Sequence, residues 1–509
     1  MEIIKNRLRH YGEIRAEKDT IDESLSVIVP DTQPDALQII GADPSLYIQE
    51  NSCAQGTLKI AGTVNCNVCY YAAEGREPYS VTASIPFSFS KETGLAQDDK
   101  VITTVSVTGI SASMVNPRKF SVKVQIQVFQ RIFKHQVQEY AEDMVSGEDE
   151  QVHCLREKIP MSLICDIAEK KMVLNDEIRL SDENLNDHCT VLRKSVSWDN
   201  EDVKVLPGKV MIKGRADTSV TALDEQGEFI GTSHYSVPFS QIIECESLSP
   251  DDRVEIFYCP VREDIEIFTH SEQISTMTFA FAAITQCVIN HTDEISAVKD
   301  AFSTKWNTEC PKTEITMPSA APSCRVTAPV KEIMPIEGTA SKVLDISARC
   351  EHSVIKKGDD TAAGSCCITV IYKEKDGSVL TCSKRFFAEA PCESTFSEDG
   401  LCLVECANIT SSISPDGEIT VSFDLIMTCR EGKSSPCILL SDCVLDKTAL
   451  KQPAANASLI VKSAEQKDTV WNIAKAYNTS PAVIASANKI DERSDIAAGQ
   501  LILIPFVCR

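Results

Sequence analysis

The side chains best suited by type to do chemistry in this 509-residue sequence are its 22 cysteines and 8 histidines. Cys66 and Cys69 have the Cys-x-x-Cys spacing with which a turn chelates zinc. They stand, however, in an alternating run that reads as a strand, where residues three apart point to opposite faces, so the pair cannot close on one ion. Cys366 and Cys367 are adjacent and also face opposite ways. The histidines (His10, His135, His153, His188, His234, His270, His291 and His352) are dispersed. Acid pairs such as Asp98 with Asp99 fall in turn-like segments, where a solvated loop is expected ahead of a Ca²⁺ or general acid-base role. The sequence holds no Gly-x-x-x-x-Gly-Lys phosphate loop, His-Glu-x-x-His or Gly-x-Ser-x-Gly. The expectation is a non-enzymatic protein without cofactor or metal, most of whose cysteines are buried, reduced thiols.

The elements that must carry these residues repeat. Gly56, Ile60 and Gly62 recur as Gly208, Ile212 and Gly214, and one constant offset also carries Gly75 to Gly227, Pro86 to Pro238, Phe87 to Phe239 and Ser88 to Ser240. After one inserted residue, Asp98, Asp99, Lys100 and Val101 reappear as Asp251, Asp252, Arg253 and Val254. A fainter third copy aligns Gly364 and Ile368 with Gly56 and Ile60, places Gly377 in a hairpin-like Lys375-Asp376-Gly377-Ser378, and has Phe386 and Phe387 for the Pro-Phe pair. All three copies end on a long alternating strand: Phe120, Val122, Val124, Ile126, Val128; Met277, Phe279, Phe281, Ala283; and Ile419, Val421, Phe423, Leu425, Met427. Period-two alternation of β-branched and aromatic residues predicts half-buried antiparallel strands. The fold class is therefore mainly β, with three β-sandwich-like repeats. Helix in the repeats is expected only near Pro34 to Ile40 and Gln136 to Met144.

Composition places the boundaries. An acidic break (Glu142, Asp143, Gly147, Glu148, Asp149, Glu150) follows the first copy, and Pro311, Pro318 and Pro322 with small neighbours separate the second from the third. Lys451 to Ser458 reads as a tether. The expected domains are 1–150, 151–311, 312–450 and 451–509. The net charge is −24, yet Leu459 to Arg509 carries six basic and five acidic residues, so the charge sits on the rest of the chain. An acidic body argues against nucleic acid or anionic lipid as partner. Charged residues at the start (Glu2, Lys5, Arg7) leave no signal-peptide core, and no run is apolar enough for a membrane span, so a cytoplasmic protein is expected.

The last fifty residues read as a β-α-α-β unit, with alternating strands at Leu459, Val461 and at Leu501, Leu503. Asp468 is placed to cap a first helix whose apolar stripe is Val470, Ile473, Ala474, Tyr477. Ser480 and Pro481 open a second, carrying Val483, Ile484 and Ala487, and Gly499 permits the turn into the last strand. Asp468, Thr469, Val470, Trp471, Ile473, Ala474, Tyr477, Asn488, Ile490, Gly499, Gln500, Leu501, Ile504 and Pro505 together resemble a LysM domain. The resemblance implies a groove for N-acetylglucosamine polymers between two loops, here Lys467, Asp468, Thr469, Val470 with the neighbouring Trp471, and Lys489, Ile490, Asp491, Glu492. One position departs. Glycan-binding LysM sequences mostly have glycine before the Asp-Thr pair, letting the backbone approach a sugar, and this chain has Lys467.

Val27, Ile28, Val29, Pro30, Asp31 with Pro34, Asp35, Ala36, together with the Gly-x-x-x-Ile-x-Gly and Pro-Phe-Ser signatures, resemble the SPOCS repeat of endospore-forming Firmicutes. Three such repeats capped by LysM are similar to the SipL family of clostridial spore morphogenetic proteins. That resemblance implies an adaptor in the mother-cell cytoplasm, at the forespore surface, whose LysM domain binds the sporulation-specific coat ATPase while the repeats recruit coat proteins, with self-association through strand edges open. The basic and apolar loop residues suit an acidic protein partner. The alternative is a binder of peptidoglycan or chitin oligomers in the wall or cortex.

Overall fold

The alternating runs become long antiparallel strands in the computed structural model, which describes residues 2–75, 77–180, 185–245, 248–269, 275–319, 323–351, 353–355, 360–392, 400–430, 433–451 and 458–505. The first repeat is built from β1 (Glu2–Ile28), β2 (Ala36–Ala54), β3 (Thr57–Ala72), β4 (Pro78–Glu92), β5 (Lys100–Asn116) and β6 (Lys119–Val145). Its three strands β4-β3-β2 pack on β1-β6-β5, closing Ile60, Val64, Tyr70, Ile85 and Phe87 against Val105, Phe120, Val122, Val124 and Ile126. The second repeat has β7 (Val152–Arg179), β8 (Thr190–Leu206), β9 (Lys209–Leu223), β10 (Phe229–Glu244), β11 (Arg253–Thr269) and β12 (Ser275–Ser303). It repeats the order as β10-β9-β8 and β7-β12-β11. Edge pairs Tyr11 with Ile164 and Arg262 with Tyr47 join β7-β12-β11 to both sheets of the first repeat, giving one nine-stranded sheet.

A third copy follows with β13 (Trp306–Glu309), β14 (Lys312–Ser319), β15 (Ser323–Ile333), β16 (Ala340–Glu351), β17 (Ser353–Ile355), β18 (Thr361–Glu374), β19 (Val379–Pro391), β20 (Gly400–Ile413), β21 (Ile419–Arg430), β22 (Lys433–Leu440) and β23 (Val444–Leu450). Sheets β16-β18-β19 and β15-β21-β20-β17 reproduce the sandwich, and β14 with β22 and β13 with β23 form two short ladders. The final alternating strand β21 buries every second residue along its length.

The repeat signature has a steric reason. Gly56 and Gly208 occupy the same place, the turn entering β3 and β9, at φ +73° and +74°, where a side chain is strained. Gly62 and Gly214 sit beneath the ring of Phe87 and Phe239, their cross-strand partners. A Cβ on either would lie 2.3 Å from a backbone carbonyl oxygen, of Tyr47 in one copy and Asp199 in the other. The Asp-Asp turns also match: Ala96 N donates to Asp99 Oδ2 at 2.9 Å, and Ser249 N to Asp252 Oδ2 at 2.7 Å.

Several expectations are corrected. Pro34 to Ile40 and Gln136 to Met144 are not helical: Ala36 begins β2, and the second tract extends β6 opposite Ile3 to His10 of β1. Cross-strand partners decide such segments over local propensity. Gly364 pairs with Ala388 inside β18 and stands as far before the hairpin glycine Gly377 as Gly62 does before Gly75, so its counterpart is Gly62 rather than Gly56. Within the proline-rich stretch after Pro311, Lys312–Ser319 is a paired strand with Pro318 opposite Ser434, and Pro322 lies outside the described residues. Cys324 and Cys392 are joined in a disulfide rather than left as thiols. The tether lies outside the described residues from 452 to 457.

The three repeats meet at Asp43 of β2, which is only 6% exposed. Its carboxylate accepts from Lys194 N of the second repeat at 2.9 Å and from Arg349 Nη2 of the third at 3.2 Å. Burial raises its pKa, against the pull of Arg349 and Lys194. Nearby, Arg193 donates to Asp345 at 2.5 Å, and the Tyr71 hydroxyl accepts from Val379 N at 2.9 Å. These contacts, together with the strand pairing, make the repeats one body.

Candidate functional site

The C-terminal module is β24 (Leu459–Ser463), α1 (Val470–Tyr477), α2 (Pro481–Asn488) and β25 (Leu501–Pro505), with β24 antiparallel to β25. Thr469, not Asp468, caps α1: its Oγ1 accepts from Asn472 N at 3.1 Å. Asp468 instead ties the preceding loop, accepting from Glu465 N at 2.9 Å and pairing with Lys462, which holds its carboxyl below the usual range. Ser480 is the N-cap of α2 with Pro481 in the first turn. Val470, Ile473, Ala474, Ile484, Ile502 and Ile504 form the module core.

The residues expected at the groove separate into three groups. Lys467, Thr469, Lys489 and Asp491 are exposed and Asp468 is half-buried; Thr469 forms a β-bridge to Asp495, bringing the first loop against the segment that follows the second. Val470 is core and Ile490 packs against that core. Trp471 departs from its expected place beside the groove. It is one position round the helix from Val470 and points to the body of the molecule, where it is 8% exposed. Its ring meets Phe302 of β12 edge-on, centroids 4.9 Å apart, and Nε1 donates to Asp300 Oδ2 at 2.9 Å.

One helical turn later Lys475 reaches the same carboxylate, its Nζ 2.9 and 2.8 Å from the two oxygens of Asp300. Lys312 of β14 lies 3.3 Å away on the other side. Burial works to raise the Asp300 pKa, but the Lys475 and Trp471 hydrogen bonds and the Lys312 charge outweigh it and hold the carboxyl below its usual range. Leu155 and Phe302 extend the module core into the second repeat. The His153 ring lies 5.3 Å from Phe302; burial lowers its pKa against the opposing charge of Glu492, at the end of the second groove loop. Asp300, Phe302, Lys475 and Lys312 were not singled out in the sequence. The one available signal was the Lys299-Asp300 pair interrupting the apolar residues Ala297, Val298, Ala301 and Phe302.

Positive φ marks the loops as well. Lys467 is at +76° and Lys489, the C-cap of α2, at +59°. Lys467 thus occupies a backbone conformation that favours glycine.

Away from the module, Cys66 and Cys69 do face opposite ways, one into the first repeat's core and the other toward the third repeat. Burial pushes both thiols up to about 12. Among the described residues no group of three or more His, Cys, Asp or Glu could hold a metal ion, and no helix is long and apolar enough to cross a membrane.

A family model described as SipL, SPOCS domain matches residues 35–115 and 190–267, and the LysM domain model matches residues 465–505. The SPOCS matches begin just before β2 and at β8 and reach into β5 and β11, so they fall on equivalent strands of the first two repeats. No curated protein and no solved structure matches the chain. Both matched domain types are non-catalytic, and together they mark a sporulation-related, LysM-containing protein.

Proposed function

We propose that this chain, which carries SPOCS domains and a C-terminal LysM domain, is a non-enzymatic adaptor of spore-coat assembly in the mother-cell cytoplasm, at the forespore surface. In this reading the LysM domain grips the sporulation-specific coat ATPase and the repeats gather other coat proteins. The observation that carries it is the mounting of the module. The three repeats are fused at Asp43, and the module is seated on them through Trp471 and Asp300. The lysines Lys467 and Lys489 stay exposed on the two groove loops. Such a body offers surfaces and multivalency in place of a reaction cleft, and exposed lysines beside half-buried Ile490 fit an acidic protein partner.

Charge reversal at the exposed lysines tests the placement without touching the core. Lys467→Glu with Lys489→Glu in the full chain is expected to abolish capture of the coat ATPase with an unchanged melting temperature; undiminished capture removes the groove as the contact. A fluorescent fusion is expected to form a shell around the forespore, and a diffuse signal contradicts the adaptor role. Saturable heat on titration with peptidoglycan or chitin oligomers would support glycan binding instead.

A further inference from the structure

Beside the module's seat, two thiols stand in contact. Cys310 follows β13 and Cys443 precedes β23, and the pairing of Glu309 with Val444 brings them face to face with Sγ atoms 3.1 Å apart. Cys443 is buried and Cys310 half-buried. The Cys310 Sγ also lies 3.2 Å from the carbonyl oxygen of Ala301, the residue after Asp300. Its charged neighbours are Lys475 of the LysM helix, Lys451 and Asp300, and Asp442 lies by Cys443. The hydrogen bond from Cys443 lowers the Cys310 pKa, and Lys475 adds to it against burial and Asp300.

The other close thiols differ. Cys402 and Cys429 lie 3.6 Å apart and are both fully buried, and Cys366 bonds to Cys406; no cation is among the groups acting on either pair. Cys165, Cys259 and Cys287 are pushed up to about 12 by burial. A partly open thiol with a lysine beside it and a second thiol in contact has the features of a reactive cysteine with a resolving partner.

We propose that Cys310 and Cys443 are an oxidation site, with a hydroperoxide as the oxidant. The Cys310 thiolate attacks one peroxide oxygen; the O–O bond breaks, an S–O bond forms, and the departing hydroxide (alkoxide, for an organic peroxide) takes up a proton. The Cys443 sulfur then displaces hydroxide from the Cys310 sulfenic acid, forming the S–S bond, and the Cys443 proton leaves with it as water. Two electrons pass from the two sulfurs to the peroxide. The bond formed staples the two ends of the third repeat together next to the LysM seat. Because Lys475 serves both Asp300 and Cys310, seating the module also activates the thiol.

Reduced full-length protein is treated with one equivalent of hydrogen peroxide, alkylated and mapped by mass spectrometry. The expected product is a peptide cross-linked through Cys310 and Cys443. In Cys443→Ser, a sulfenic acid trapped by dimedone is expected at Cys310, well above the level at exposed Cys53. Lys475→Met is expected to slow Cys310 oxidation several-fold, because it removes the cation that favours the thiolate. Circular dichroism on each variant confirms that the fold is kept. Absence of the cross-link with no excess dimedone at Cys310 overturns the site, and an unchanged rate in Lys475→Met overturns its activation by the seated module.

Discussion

The repeats and the LysM module are attached to the molecule in opposite ways. The first two repeats join through strand edges, and the third is tied to them by a buried carboxylate shared three ways at Asp43 and by the Arg193–Asp345 pair. The module, by contrast, rests largely on one face of one eight-residue helix, where Trp471 and Lys475 converge on Asp300. A contact shared among two strand-edge pairs and several buried side chains loses part of itself when one side chain goes, whereas a seat built on one aromatic ring and one carboxylate is lost with either. The module is the part whose placement single substitutions control.

The largest effect is expected at that seat. Trp471→Ala removes a buried ring from Phe302 and leaves Asp300 without its indole donor, a loss of about 3–5 kcal/mol. Most of it falls on docking, because Val470, Ile473, Ile484, Ile502 and Ile504 still pack the module. Hydrogen exchange should rise at Asp300 to Ser303 while β3 and β6 keep their protection. Unchanged exchange on β12 would show that the module is held elsewhere.

The opposite lesion breaks a repeat and spares the module. Gly62→Ala and Gly214→Ala each drive a Cβ to 2.3 Å from a rigid carbonyl and are expected to cost about 3 kcal/mol. Gly364→Ala meets only the side chains of Met427 and Val404, at 3.1 Å, which can yield, so about 1 kcal/mol is expected. Denaturant melts of the three variants rank them; equal losses would refute the steric account of the signature.

That contrast also explains how much was legible beforehand. The glycines, the Pro-Phe-Ser run and the alternating strands reveal a duplication because each has a local steric cause, and they name the sandwich correctly. The LysM helices and strands are equally local. Gly364 does not declare itself the counterpart of Gly62 because the Phe that covers Gly62 has no equivalent opposite it, where Ala388 stands. Asp43, Asp300 and Phe302 stayed hidden because their partners lie far away in sequence, and Trp471 looked like a groove residue because only tertiary packing distinguishes the two faces of α1.

A smaller effect separates the seat from the body by pH. The Asp300 carboxyl is held below its ordinary value, so its contribution is complete above about pH 4, the unfolded value, and is lost as pH falls through the depressed one. Acid should therefore release the module from β12. Asp300→Asn keeps an acceptor for the indole but loses the charge that attracts Lys475 and Lys312, costing about 2 kcal/mol at neutral pH and removing the acid dependence of docking. The measurement is the difference in tryptophan fluorescence between the native chain and Trp471→Phe, followed from pH 7 to pH 3. A pH-independent difference contradicts the assignment.

The smallest expected change runs in the stabilising direction and concerns the module alone. Lys467 holds φ +76°, a conformation costing an ordinary L-residue about 1–2 kcal/mol. Glycine avoids that strain but gives the unfolded chain more freedom, so Lys467→Gly should stabilise the module by about 0.5–1 kcal/mol, read from exchange within α1 and α2. The substitution also uncovers the loop backbone where a sugar would lie. If Lys467→Gly acquires heat with chitin oligomers that the native chain lacks, this lysine is what separates a protein-gripping groove from a glycan-binding one. If neither binds, the groove has diverged beyond this position. Binding by both places the native groove among glycan sites, with Lys467 no obstacle.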